Sequence, residues 1–241
     1  MITRISAERL LQVWERGQPQ APVEKALTLL AAAYPDATRE ELAMLSIGRR
    51  DASLLTLREQ LFGSQLSSLT DCPACGERLE LNFNVVDVRA TSLPADGPLL
   101  LSEAGYELEL RLPNSLDLLR LTDCSTVAEM RSRLFEECVL TREGAAQVSE
   151  LPAEVVELAI ERMGEADPQA DVEVDLNCPE CGNVWQSCFD IVSYLWTELH
   201  AWARQMLCDV HLLASNYGWR ESEILRMSAP RRRSYLEILA G

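Results

Sequence analysis

"DCPACGERLELNF" (residues 71–83) and "NCPECGNVWQSCF" (residues 177–189) say nearly the same thing at two distant places in a chain of 241 residues. Each contains C-P-x-C-G. Two cysteines separated by two residues can aim both thiolates at one ion when the backbone folds into a tight turn. The proline fixes one torsion, and the glycine after the second cysteine tolerates positive φ, so backbone amides can face the sulfurs. Each pair supplies half of a tetrahedron. Together Cys72, Cys75, Cys178 and Cys181 make the closed four-thiolate set of a structural Zn2+, with no position left open to water or substrate.

The flanks of both phrases alternate. "RLELNFNV" leaves the first turn, "VEVDLN" enters the second and "VWQSCF" leaves it, all with the two-residue period of half-buried strands. Each turn is therefore expected at the tip of a hairpin, as in a zinc ribbon whose halves are parted by a long insertion. Loop-closure cost grows only logarithmically with length, so the wide separation does not forbid a shared ion. Other readings of the cysteines stay open here: a thioredoxin-like redox motif, which belongs at the start of a helix, or two separate partial sites. Disulfides are disfavoured without a secretion signal. Cys124, Cys138, Cys188 and Cys208 lack ligand-spaced partners and read as small buried residues.

Away from the knuckles the period changes to that of helices. Ala7, Leu10, Leu11 and Trp14 share one face of a helix that Gly17 and Pro19 stop; Val23, Ala26, Leu27 and Leu30 share another, closed by Pro35. Thr38 and Glu41 have capping-box spacing ahead of "LAMLSIGRRDASLLTLREQLFG", which reads as one helix broken near Gly48 or as two. Tyr106, Leu108, Leu110 and Leu112 alternate as a strand, "TSLPADGPLL" reads as a loop, and "LDLLRL", "TVAEMRSRLFEECVL" and "PAEVVELAIERM" read as helices. Val192, Leu195, Trp196 and Leu199 begin a stripe that Trp202 and Met206 continue, and "SAPRRRSYLEIL" closes the chain as a short helix. The expected fold class is α+β, with helical N- and C-terminal regions around a split zinc-ribbon-like β element carrying a long mixed α/β insertion. The boundaries fall at 1–64 for the first helical region, 65–90 and 171–190 for the two ribbon halves, 91–170 for the insertion and 191–241 for the last helical region.

Net charge is −16, the wrong sign for displacing counterions from phosphates, so direct nucleic-acid binding is not expected. No apolar run is long enough to span a membrane, and the first residues do not have a secretion signal's order, which points to the cytoplasm. His200 and His211 are the only histidines and have no spaced partners for a triad or an open metal site. Phosphate and dinucleotide loops are absent, so neither catalysis nor a small-molecule substrate is expected.

Four stretches, "PVEKALTLLAAAYP", "LSIGRRDASLLTLREQLFG", "CPACGERLEL" and "YGWRESEILRMSAPRRRSYLEIL", stand in one order from about Pro22 to the end. In that order the chain resembles the T4-type baseplate hub assembly chaperones of contractile phage tails and related injection systems. The resemblance implies a non-enzymatic assembly factor or structural component whose partners are baseplate hub or other tail proteins, cytoplasmic or carried into the assembled particle. Two places are candidates for partner contact: Arg49 and Arg50 in a compact charged turn with Gly48 and Asp51, and Trp219, Arg231, Arg232, Arg233 and Tyr235 near the terminus, where aromatics mix with guanidinium groups as in interface hot spots. For Arg49 and Arg50 an intramolecular Arg–Asp pair is the competing reading. A zinc-ribbon regulatory adaptor in transcription or RNA metabolism is the alternative function, and a zinc enzyme with an exchangeable metal position is a third.

Overall fold

The computed structural model describes residue 3 and residues 5–92, 94 and 97–240. In chain order these form α1 (Ala7–Gly17), α2 (Pro22–Ala33), α3 (Arg39–Ala43), α4 (Ile47–Phe62), β1 (Gln65–Asp71), β2 (Arg78–Asn84), β3 (Leu99–Glu103), β4 (Tyr106–Leu110), α5 (Ser115–Arg120), α6 (Val127–Cys138), β5 (Val139–Glu143), α7 (Ala153–Ala166), β6 (Glu173–Asn177), β7 (Val184–Cys188), α8 (Ile191–Tyr217), α9 (Glu221–Arg226) and α10 (Ala229–Ala240). The fold is α+β, as expected: helical ends flank two β hairpins in the chain, and a mixed α/β insertion lies between the hairpins. Among the described residues, no helix is long and apolar enough to cross a membrane.

The chain divides into two compact units, Met1–Thr38 with Val192–Gly241, and Arg39–Ile191. In the first, Ser6 accepts the Arg9 N–H and caps α1, while Pro22 opens α2 at a position where its missing N–H costs nothing. The stripes read from the sequence converge here: Leu11, Ala203, Met206 and Leu225 form a buried cluster, with Trp14 and Trp202 packed against it. Gly17 does more than end α1. A Cβ there would overlap the Trp196 ring, so the absence of a side chain is what admits the indole. Trp14 Nε1 donates to His200 Nδ1 at 3.1 Å, which gives that histidine a structural partner.

The second unit, Arg39–Ile191, contains α3 and α4 together with the hairpins. The stretch "LAMLSIGRRD" is two helices, parted between Ala43 and Ile47: Ser46 is the N-cap of α4, accepting from Arg49 N at 3.3 Å, and Gly48 to Asp51 lie inside the helix. The insertion builds its own core. Strands β3, β4 and β5 form an antiparallel sheet in that order, and Leu108, Leu110, Phe135, Cys138, Val155, Ala159 and Met163 bury its inner face against α6 and α7. Of the expected loop "TSLPADGPLL", Leu99 and Leu100 open β3, and Leu93, Ala95 and Asp96 lie outside the described residues.

The insertion ends by returning onto α4. Gly48 N donates to Asp167 Oδ2 at 2.9 Å, and the 3-10 turn Pro168–Ala170 brings Gln169 to accept from Ala90 N at 2.8 Å and donate to the Val88 carbonyl at 3.1 Å. Gln169 is nearly inaccessible, so both ends of its amide are satisfied where an unpaired polar group would be costly. This joint holds the segment just after β2 beside the segment just before β6.

Candidate metal centre

Both knuckles are built alike, down to their hydrogen bonds. In the first, Cys72 N donates to Glu77 O at 2.8 Å and Gly76 N to Cys72 O at 2.9 Å; in the second, Cys178 N donates to Asn183 O at 2.8 Å and Gly182 N to Cys178 O at 2.9 Å. Gly76 has φ +76° and Gly182 φ +71°, the left-handed conformation that closes each turn and that a side chain would strain. Strands β1 and β2 pair antiparallel up to Asp71 opposite Arg78, and β6 and β7 up to Asn177 opposite Val184, so each turn caps a hairpin. Strand β1, "QLSSLTD", escapes a reading based on apolar alternation because serine and threonine occupy its half-buried positions. The available signal was symmetry, since a strand enters the second knuckle.

The four sulfurs meet. Cys72 Sγ lies 3.7 Å from Cys181 Sγ, Cys75 Sγ lies 3.7 Å from Cys178 Sγ, and all four ligand atoms fall within 4.8 Å of one another. The pairing is reciprocal: the first cysteine of each knuckle stands beside the second cysteine of the other. A tetrahedron of sulfurs at about 2.3 Å from a central ion has edges of about 3.8 Å. The separations fit that figure and are far from the roughly 2.05 Å of a disulfide. All eight cysteines are free thiols. These four residues could therefore hold one metal ion, as the sequence pattern anticipated.

The four thiols are partly enclosed by apolar side chains. Cys72 and Cys178 are buried in a small cluster with Leu79, against which Leu81 and Trp185 pack, while Cys75 and Cys181 are exposed. Phe83 and Phe189 add an edge-to-face contact between the hairpins, with ring centroids 5.7 Å apart at 87°. Burial resists ionisation of Cys72, but the amides of Cys75 and Ala74, with the neighbouring thiols of Cys75 and Cys181, outweigh it and draw the thiol down to about 6. For Cys75 the Glu77 amide works in the same favourable direction, yet the thiols of Cys181, Cys72 and Cys178 and partial desolvation push it up to about 12. That spread is what crowded thiols produce when they cannot all ionise together. A bound dication removes the conflict by stabilising every thiolate at once.

The residues offered for partner contact fall into two groups. Arg50 is buried and bidentate to Asp51, at 2.7 and 3.2 Å, so the intramolecular pair accounts for it. Arg49 is half-buried and donates to the Pro94 carbonyl at 2.6 Å. Near the terminus, Arg232 is buried and pairs with Asp209 at 3.2 Å, whereas Arg231 and Arg233 on either side are exposed. Trp219 stacks on Tyr217 with centroids 4.5 Å apart, and Tyr235 meets it edge-on at 4.8 Å.

The fold and the paired knuckles define an α+β protein in which two distant hairpins converge on one four-thiol centre. The family model described as T4 bacteriophage base plate protein matches residues 5–196, and the chain belongs to that family. The matched span contains both knuckles and the insertion between them. No curated protein matches the chain, and no solved structure does.

Proposed function

We propose that this chain is a non-enzymatic assembly factor or structural component of the baseplate hub of a contractile phage tail or related injection system, folded around one structural Zn2+ held by Cys72, Cys75, Cys178 and Cys181. The observation that carries the reading is that the family match, residues 5–196, takes in both halves of the four-thiol centre. The clasp is thus part of the body the family describes. Four thiolates suit zinc and complete its tetrahedron, which leaves no exchangeable position for catalysis. Structural zinc in small fingers contributes ~10–16 kcal/mol of apparent binding free energy, which would add to the few apolar contacts around the knuckles.

In this reading the zinc keeps the insertion and both hairpins in one body, and recognition of hub or tail proteins falls to other surfaces. Co-expression of the tagged, zinc-loaded chain with the hub, tube and spike proteins of its gene cluster, followed by affinity capture, tests the role. Retention of one of these proteins in defined stoichiometry is expected. If the folded chain retains none of them, the assembly role is wrong.

A further inference from the structure

The terminal helices hold a cleft that the metal centre does not use. It is lined by Trp219, Glu223, Arg226, Met227 and Arg231 and has a volume of about 350 Å³. We propose that this cleft binds an acidic segment of a partner protein, with Arg226 and Arg231 receiving carboxylates and Trp219 and Met227 receiving an apolar side chain between them. The proposal deepens the recognition role given above and rests on it.

Charge is the first argument. Residues 217–240 carry five arginines against three glutamates, in a chain whose net charge is −16. With Arg232 buried against Asp209, four arginines remain beside the three glutamates, so this stretch is slightly basic in a strongly acidic chain and favours a ligand of opposite sign. Arg226 and Arg231 are exposed, and neither has an ion-pair partner among the described residues. The carboxylate inside the cleft is already engaged: Glu223 Oε2 accepts the Arg220 N–H at 2.8 Å, closing the cap of α9. By contrast Arg232, in the same run, is buried against Asp209. The sequence "PRRRS" thus contains one arginine that fixes α10 to α8 and two that remain for something else.

Preorganisation is the second. Trp219 is held between Tyr217, nearly parallel at 15°, and Tyr235, at 77°, and Arg231 lies 5.7 Å from the Tyr235 ring. An aromatic wall fixed in this way loses little freedom on binding, the property of interface anchors. The volume matches a pocket for several side chains, since ligand sites run from about 300 to 1,000 Å³, and exceeds what one small anion fills. Guanidinium groups pair bidentately with carboxylates. Glu223 lines the cleft, so a continuous phosphate backbone would run into like charge there, where a short segment can set its carboxylates on Arg226 and Arg231.

The test uses the full zinc-loaded chain and a dye-labelled peptide of alternating glutamate and leucine, with a glutamine–leucine peptide and a single-stranded oligonucleotide as comparisons. Fluorescence anisotropy is expected to show salt-sensitive binding of the glutamate peptide alone. Arg226→Glu with Arg231→Glu weakens it at least about tenfold, and Trp219→Ala weakens it with less effect on the salt dependence. Because both arginines are exposed, the paired variant keeps the wild-type melting temperature, which separates lost binding from lost folding. Failure of the glutamate peptide to bind, equal binding by the glutamine peptide or by the paired variant, or tighter binding of the oligonucleotide overturns the proposal. So does self-association that the paired variant abolishes, because a second copy would then be the occupant. Peptide binding without capture of any tail protein would leave the cleft standing and remove only the baseplate role.

Discussion

Gly48, in the first turn of α4, donates its backbone N–H to the Asp167 carboxylate at 2.9 Å, across 119 residues of chain, at the point where the insertion returns to the body of its unit. The approach is so close that a Cβ on Gly48 would fall 2.6 Å from Asp167 Cγ and 3.0 Å from the Ala170 nitrogen. Glycine here is a requirement of contact, since the helix itself would tolerate alanine.

Gly48→Ala is accordingly expected to destabilise the protein by about 1–3 kcal/mol, the usual cost of overpacking. Gly164→Ala, on the exposed face of α7 with nothing within 4 Å of the added atom, is expected to stabilise it by up to about 1 kcal/mol. Denaturant titration of the two variants checks this, and equal effects of the same sign would refute the packing account.

Asp167 gives the same joint a pH dependence. Burial raises its pKa above the ordinary 3.8, against the pull of the Gly48 N–H. A carboxyl with a raised folded pKa binds more protons folded than unfolded. Its contribution is therefore fully present below the unfolded value and is lost as pH rises through the folded one. Asp167→Asn keeps an acceptor for Gly48 and removes the titration. The stability of the variant relative to wild type is expected to increase from the acid side of that window to neutral pH. A difference that does not change with pH would show that Asp167 is not the titrating group.

The terminal arginine run separates by role. Arg232→Ala takes the ion-pair partner from buried Asp209, leaving it only the Gln205 amide, and is expected to cost about 3 kcal/mol, as broken buried pairs do. Arg231→Ala and Arg233→Ala, both exposed, are expected to stay within about 1 kcal/mol of wild type. Thermal melts of the three single variants decide it; a similar loss in all three would mean that α10 is held by something other than the Asp209 pair.

Reading the sequence reached the centre of the fold because C-P-x-C-G dictates its own local geometry: the turn, the glycine at positive φ and the direction of both sulfurs are fixed within five residues. It stopped where the deciding partner is remote. Nothing near Gly48 announces Asp167, and nothing in "PRRRS" tells which arginine meets Asp209. Strand β5 hides behind the helical pattern of "RSRLFEECVL", because Cys138 ends α6 and Val139 begins the strand with no breaker between them. The short helix α9, "ESEILR", offers too few positions for a periodicity to show.

Metal removal should act on the hairpins first. Chelation is expected to abolish amide protection in β1, β2, β6 and β7, and Cys178→Ser to abolish metal retention, while Cys188→Ser, an exposed cysteine outside the cluster, retains the ion. Unchanged hydrogen exchange after complete chelation would remove the structural role from the centre.

The convergence of the two knuckles is tested most directly by X-ray absorption on the purified chain, with metal content measured on the same sample. One zinc per chain surrounded by four sulfurs at about 2.3 Å is the expected result. A mixed shell of sulfur with nitrogen or oxygen, or half an ion per chain shared between molecules, would contradict a clasp closed within one chain by Cys72, Cys75, Cys178 and Cys181.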